Sequence, residues 1–212
     1  MKMDGIIFDL DGTLWNSAEP VAESWNLVIE KRLGKEARIT TQDILACMGM
    51  LMEDIGRALF PELPEDEMRS LLKECCAYEN EYVGKTGGIL YDGLEDTLKT
   101  LSQRIPLFIV SNCQEGYIEA FFKAHGLQHY FKDYENPGRT GLAKSGNIRL
   151  VAERNSLKNP IYVGDTQGDF SASKEAGVRF VFARYGFGEV KEEDCTAVID
   201  HFCELTGLAE GE

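Results

Sequence analysis

The sequence predicts an α/β protein, a doubly wound parallel sheet that carries an inserted all-helical cap domain. A short apolar run, Gly5-Ile6-Ile7-Phe8, stands close to the start of the chain. Residues 15–86 then show helical periodicity and no convincing strand. After residue 87, apolar strand-like runs alternate with helical segments, which is the pattern of parallel βαβ units.

The first strand has to join the later ones across the helical stretch. We therefore expect residues 1–14 and 87–212 to form the α/β core domain and residues 15–86 to form the cap. The expected cap helices begin at Ser17, with Pro20 in the first turn, and at Thr40, and two more span residues 52–60 and 64–82.

In the core, strands and helices alternate. The expected strands cover residues 105–110, 161–163 and 178–183, and the expected helices cover residues 94–103, 115–124, 145–154 and 169–175. The polar segment 132–137 is a poor strand by composition.

Composition is ordinary for a globular protein, with 43% hydrophobic and 27% charged residues in 212. No apolar run approaches the length of a bilayer span, and Met1-Lys2-Met3-Asp4 does not open a signal peptide. The six cysteines form no Cys-x-x-Cys pair and cluster with no histidine. We expect reduced thiols, a cytoplasmic location and no membrane partner.

The formal net charge is −14. Nucleic acids and anionic membranes bind basic patches, so this charge disfavours both as partners. It also repels anionic substrates at long range. If the substrate is a phosphate ester, the site must supply its own cation, and a metal ion is expected.

Two acidic residues follow the first apolar run, in Asp9-Leu10-Asp11-Gly12-Thr13. Gly12 supplies a turn that separates the two side chains. One acid can then attack an electrophile while the other transfers a proton, with a divalent cation balancing their charges. Alone, the same residues also fit a simple polar turn.

Two later strand ends also carry reactive residues. Ser111-Asn112 offers a hydroxyl and backbone amides to phosphate oxygens, or else a helix cap. Asp165 can bind a cation directly, and Asp169 can bind a metal-bound water, orient a lysine or belong to a capped helix start. Because ligands bind where the carboxyl ends of parallel strands converge, we expect these residues to meet.

Lys144 is the candidate cation of the site. It precedes a predicted helix, whose N-terminus also favours phosphate. Lys123, Lys132 and Lys158 lie on a helix face or in polar loops, where lysines are usually solvated.

These four segments, in this order, resemble the motifs of the haloacid dehalogenase-like hydrolase superfamily, which has a Rossmann-like core. The helical insertion after the first motif is similar to its α-helical C1 cap. The stretches 11–17 and 165–177 are similar to the phosphoglycolate-phosphatase-like branch. Two positions depart from many relatives, because Ser145 replaces a proline after the lysine and Asn16 replaces an aspartate. The departures leave the substrate open.

The resemblance implies a two-step phosphoryl transfer on a small-molecule phosphate ester. Asp9 would form an aspartyl-phosphate, and Asp11 would protonate the leaving alkoxide and later deprotonate water. The implied Mg²⁺ would be held by Asp9, the Asp11 carbonyl and Asp165, with Asp169 close by. Ser111 and Lys144 would hold the phosphoryl oxygens. Further phosphate contacts are expected at the following residues: Gly12, Thr13 and Asn112.

Four other functions share part of this pattern: a phosphomutase, a nucleotide-binding P-loop protein, a receiver domain and a pseudoenzyme. A β-phosphoglucomutase-like mutase shares the Asp-x-Asp motif and remains the alternative. Residues 138–145 are one residue from a Walker A loop, but Ala143 replaces its second glycine and no good strand precedes it. A receiver domain would lack the large helical insertion, and a pseudoenzyme would lack Asp9 or Asp11.

The cap is expected to select the substrate. Trp25 fits core packing, and Trp15 fits either core packing or a surface that contacts the substrate. The turn Met48-Gly49-Met50 is a candidate specificity loop. Arg57 and Arg69 lie on predicted helices and are expected to face solvent. The expected substrate is a sugar phosphate, phosphoglycolate or a nucleotide. The sequence does not indicate an oligomeric state.

Overall fold

The structure, a computed structural model, describes residues 3–210. Within these residues the strands are β1 (Ile6–Phe8), β2 (Trp15–Asn16), β3 (Ile89–Leu90), β4 (Leu107–Val110), β5 (Phe131–Glu135), β6 (Ile161–Gly164), β7 (Arg179–Ala183) and β8 (Ala197–Ile199). Six of them form one parallel sheet in the order β5-β4-β1-β6-β7-β8. β2 and β3 form a separate antiparallel pair.

The helices surround this sheet and build the cap. They are α1 (Ala18–Leu33), α2 (Thr41–Cys47), α3 (Met52–Leu59), α4 (Glu65–Thr86), α5 (Leu94–Ser102), α6 (Tyr117–His125), α7 (Pro137–Thr140), α8 (Lys144–Arg154), α9 (Gln167–Ala176) and α10 (Leu205–Glu210). The first four lie between β2 and β3, so the predicted α/β fold with an inserted helical cap is confirmed.

The first strand occupies the middle of the sheet. Ile6, Ile7 and Phe8 are fully buried, and β1 pairs with β4 on one side and β6 on the other. A central strand of a parallel sheet is covered on both faces, so an uninterrupted apolar run is what it requires. This position places the residue after Phe8 at the centre of the carboxyl edge.

The antiparallel pair of β2 and β3 joins the two chain crossings between core and cap. Trp15 pairs with Leu90 and Asn16 with Ile89, which brings the start and the end of the insertion together. Within the cap α1 packs against α4, and α4 packs in turn against α6 of the core. The cap is therefore attached through both its chain crossings and a helix contact.

The sequence prediction was wrong about residues 132–137, because Phe131–Glu135 forms β5. Among the described strands it lies at the edge of the sheet and pairs with β4 alone. Edge strands tolerate charged residues, and Arg154 donates hydrogen bonds of 2.8 Å to both Asp133 and Glu135. The opposite edge strand, β8, was not predicted either.

All six cysteines lie within the described residues and are free thiols, four of them buried. Across residues 3–210, every helix is too short or too polar to span a membrane.

Candidate active site

The turn after β1 is shaped by Gly12. Asp9 follows the strand directly, is 2% exposed, and its amide donates to the carbonyl of Val163 at 2.8 Å. Gly12 has φ +82°, and a Cβ at this position would lie 2.2 Å from Oδ2 of Asp165. A side chain is therefore excluded here by both the backbone conformation and the neighbouring carboxylate.

Lys144 is the buried cation of the site. It is the first residue of α8, and its Nζ lies 2.9 Å from Oδ1 of Asp9 and 2.6 Å from Oδ1 of Asp169. Burial lowers the pKa of Lys144, but the two carboxylates outweigh this effect and raise it above its ordinary value. The ammonium therefore keeps its charge and holds Asp9 in place.

Asp169 both starts a helix and orients the lysine. Thr166 is the N-cap of α9, and its hydroxyl and Asp169 form a capping box. The backbone amide and the hydroxyl of Thr166 donate to Oδ2 of Asp169 at 3.0 and 2.7 Å. The other oxygen of Asp169 accepts from Lys144. The capped helix start and the lysine contact, which the sequence left as alternatives, occur together.

Asp165 is held by residues from two distant segments, the loop after β1 and the loop after β7. The hydroxyl of Thr13 donates to its Oδ1 at 3.3 Å, and the amide of Phe187 donates to its Oδ2 at 2.8 Å. A Cβ on Gly186 would lie 2.3 Å from the Cβ of Asp165. Gly186 and Phe187 were not predicted as site residues, although the glycine pair Gly186 and Gly188 just after β7 marks a close approach of the backbone.

Carboxylate oxygens of Asp9, Asp165 and Asp169 all lie within 4.8 Å of one another. These three buried acids face a single ammonium, so their charges are only partly balanced. Burial, followed by the charges of the neighbouring carboxylates, raises the pKa of Asp9 to about 7 and that of Asp165 to about 8. A small divalent cation that prefers oxygen ligands would remove this imbalance, so the donor set fits Mg²⁺.

The side chain of Asp11 points away from this cluster. Its Oδ1 accepts hydrogen bonds from the Ser17 hydroxyl at 2.5 Å and the Tyr117 hydroxyl at 3.0 Å. Burial raises the pKa of Asp11, and these two hydrogen bonds oppose the rise. Ser17 stands at the N-cap position of α1 but donates to Asp11, while Asn16 accepts from the first amide of the helix at 3.1 Å. Tyr117 was not predicted as a site residue from the sequence.

The two residues after β4 have different surroundings. Ser111 is 4% exposed, and its amide donates to the carbonyl of Glu135 at 3.3 Å. Since Phe8 pairs with Ile109, Ser111 follows the strand next to Asp9. The side-chain amide of Asn112 donates to the carbonyl of Gly49 at 3.0 Å, which connects the core to the Met48-Gly49-Met50 turn of the cap.

Comparison with known proteins identifies the relatives of this chain. It is 28% identical over 215 residues to a phosphoglycolate phosphatase of Photobacterium profundum, covering 94% of this chain and 93% of that protein. It is 30% identical over 210 residues to the pyrophosphatase PpaX of Halalkalibacterium halodurans, covering 94% and 91%.

Solved structures show the same fold. A protein from Haemophilus somnus described as a predicted phosphoglycolate phosphatase superposes with a TM-score of 0.84 at 23% identity, covering 98% of each chain. CbbY from Rhodobacter sphaeroides, in complex with phosphate, gives a TM-score of 0.75 at 16% identity, covering 96% of each chain. The family model for haloacid dehalogenase-like hydrolases matches residues 6–183. The chain belongs to the haloacid dehalogenase-like hydrolase family.

Proposed function

We propose that this protein is a Mg²⁺-dependent phosphatase that hydrolyses a small phosphorylated metabolite through an aspartyl-phosphate. The bridge from Lys144 to Asp9 and Asp169 is the observation that carries the proposal. Lys144 holds the Asp9 carboxylate beside a fixed positive charge. The Asp11 carboxylate is held apart from it by hydrogen bonds from Ser17 and Tyr117. A nucleophile and a proton donor for one substrate need this separation.

In the first step a carboxylate oxygen of Asp9 attacks the phosphorus atom as the bond from phosphorus to the leaving oxygen breaks. Asp11 gives its proton to the departing alkoxide, and an alcohol leaves. In the second step Asp11 takes a proton from water, which attacks the phosphorus atom and releases inorganic phosphate and the Asp9 carboxylate. The raised pKa of Asp11 suits a group that gives and takes a proton.

The remaining predicted residues would bind the phosphoryl group and the metal. The Lys144 ammonium and the Ser111 hydroxyl would hold phosphoryl oxygens. We assign further contacts with the phosphate to Gly12, Thr13 and the backbone amide of Asn112, whose side chain is turned towards the cap. Mg²⁺ would be held by Asp9, the Asp11 carbonyl and Asp165, with Asp169 nearby, and when bound it would neutralise charge on the phosphoryl oxygens.

We further propose that residues 15–86 act as a cap over the core formed by residues 1–14 and 87–212. The hydrogen bond from Asn112 to Gly49 supports a cap that closes on the site. The free thiols, four of them buried, support a reducing compartment, the cytoplasm.

The test is release of phosphate from p-nitrophenyl phosphate with Mg²⁺ and with a chelator. Asp9→Asn removes the nucleophilic charge with little change in shape and is expected to abolish turnover. The exposed Asp92 gives the matched control, because Asp92→Asn makes the same chemical change on a side chain that faces solvent. Activity of Asp9→Asn equal to that of the control, or turnover in the chelator, would contradict the proposal.

A further inference from the structure

A small cavity lies between the cap and the core, and Asp11 forms part of its wall. Its accessible volume is about 50 Å³, which is room for a few waters. Most of its wall consists of apolar side chains, such as Val21, Ile44, Met48 and Met52. Because Asp11, the proposed proton donor, lines this cavity, we expect the leaving part of the substrate to occupy it.

One acidic side chain of the cap also reaches this cavity. Glu79 of α4 is 3% exposed, and its Oε2 accepts a hydrogen bond of 2.6 Å from the indole of Trp25. Burial raises the pKa of Glu79 to about 8, although the Trp25 hydrogen bond opposes the rise and the charge of Asp11 adds to it. The surroundings of Glu79 in the cavity therefore disfavour its negative charge.

The core side of the cavity adds an unpaired hydrogen-bond acceptor. The carbonyl of Gly49 can only accept, so the side-chain nitrogen of Asn112 faces it. Oδ1 of Asn112 is buried and has no hydrogen-bond partner among the described residues. A buried acceptor without a partner costs free energy, and a donor on a bound ligand would remove that cost.

None of the described residues that line the cavity is a lysine, an arginine or a histidine. The cap arginines Arg57 and Arg69 are about half exposed and form ion pairs with Glu53 and Glu65. A carboxylate on the leaving group would therefore be buried near Glu79 and Asp11 without a positive partner, which is strongly unfavourable.

We infer that the cavity selects phosphate esters whose leaving alcohol carries a hydroxyl or ammonium donor and no negative charge. This inference rests on the proposed phosphatase activity. It sets the chain apart from those relatives that are named phosphoglycolate phosphatase, because the leaving alcohol of phosphoglycolate is an anion. Glu79 and Asn112 accept hydrogen bonds from the leaving group, and Trp25 positions the Glu79 carboxylate.

The test uses four two-carbon esters that differ only in the terminal group: 2-aminoethyl, 2-hydroxyethyl and ethyl phosphate, and phosphoglycolate. Each is assayed at a pH above 8, where Glu79 is ionised. We expect kcat/KM to be highest for the two esters with donors, lower for ethyl phosphate and lowest for phosphoglycolate. We expect kcat/KM for the best ester to exceed that for phosphoglycolate by about tenfold or more.

Glu79→Gln keeps an acceptor for Trp25 and removes the charge. It is expected to lower kcat/KM for 2-aminoethyl phosphate and to raise it for phosphoglycolate, each by about tenfold. Glu81→Gln, an exposed change two residues further along the helix, is expected to leave the ranking unaltered. The ranking of the wild-type protein tests the inference even if Glu79→Gln does not fold.

Two results would overturn the inference. One is a kcat/KM for phosphoglycolate equal to that for 2-hydroxyethyl phosphate. The other is a kcat/KM for ethyl phosphate equal to that for 2-hydroxyethyl phosphate. If no ester, including p-nitrophenyl phosphate, is hydrolysed, the proposed phosphatase activity itself fails, so the two failures are distinguishable.

Discussion

The phenol hydroxyl of Tyr117 lies 3.0 Å from Oδ1 of Asp11, although 106 positions separate the two residues in sequence. The same hydroxyl lies 2.8 Å from the hydroxyl of Ser17, which itself contacts Asp11. Tyr117 is the first residue of α6 and Ser17 is the N-cap residue of α1, so this triangle fixes Asp11 between a core helix and the start of a cap helix. The Asp11 carboxylate is thereby held in the wall of the cavity between the cap and the core.

Tyr117→Phe is expected to lower kcat about tenfold with little change in KM, because the variant loses orientation of Asp11, the proposed proton donor, and not substrate contacts. Hydrogen bonds to a carboxylate favour its charged form, so losing one raises the pKa of Asp11 further. The part of the pH profile of kcat that Asp11 governs should therefore move to higher pH. Steady-state kinetics across a pH series measure both effects.

The control for this change is Tyr78→Phe, because Tyr78 is 42% exposed on the cap. It should reproduce the wild-type pH profile. An unchanged profile in Tyr117→Phe would show that the Tyr117 hydroxyl does not influence Asp11 during turnover.

Gly12→Ala tests the close approach of the first loop to Asp165. The substitution places a Cβ 2.2 Å from Oδ2 of Asp165 and also strains a backbone with φ +82°. Gly34→Ala is the matched control, since Gly34 has φ +92° and open space around it. Both should lose about 1–2 kcal/mol of unfolding free energy from backbone strain, and Gly12→Ala should lose clearly more. Equal losses in denaturant titrations would contradict the contact with Asp165.

The residues of the sheet edge could be found from the sequence because each one follows a local signal. Asp9 and Asp165 directly follow apolar runs, and Thr166 and Asp169 have the spacing of a capping box. Lys144 was identified from its position before a predicted helix. The pairing of these residues through Lys144 then follows from parallel strands that end at one edge.

The contacts that the sequence did not reveal depend on distant parts of the chain. Glu79 lies in the charged stretch Glu79-Asn80-Glu81, where nothing local separates a buried acid from a solvated one. Tyr117 and Phe187 reach the site only because α6 and the loop after β7 fold over the same edge. Strand β5 was missed because its charged residues are compatible with an edge strand only after the sheet order is known.

Binding of Mg²⁺ should stabilise the folded protein through the acidic cluster. At a concentration a hundred times its Kd, one bound ion adds about 2.7 kcal/mol to the free energy of unfolding. Asp165→Asn should lose this gain. Without Mg²⁺ the variant should be no less stable than the wild type, because it removes a buried carboxyl group whose pKa is raised to about 8. Asp92→Asn should keep the full gain. Thermal unfolding with Mg²⁺ or a chelator compares them, and an equal gain in Asp165→Asn would exclude Asp165 as a ligand.

Glu79 should make the free energy of unfolding depend on pH. The pKa of its carboxyl is 4.5 in the unfolded chain and about 8 in the folded one. Between these values the folded state holds a proton that the unfolded state has released, so stability falls as pH rises and the loss is complete above pH 8. The total loss from this one group is on the order of a few kcal/mol.

Comparison with Glu79→Gln isolates this contribution, because the other buried acids are present in both proteins. The groups that face Glu79 are Asp11, Cys75, Cys76, Cys113 and Tyr117. Burial raises the pKa of the thiols and the phenol, so these groups stay neutral across the range. Denaturant titrations should show the variant gaining stability over the wild type as pH rises from 4.5 to 8. If the difference in unfolding free energy between the two proteins is constant with pH, Glu79 ionises as freely in the folded protein as in the unfolded chain. The hydrogen bond from Trp25 would then have to stabilise the buried charge completely.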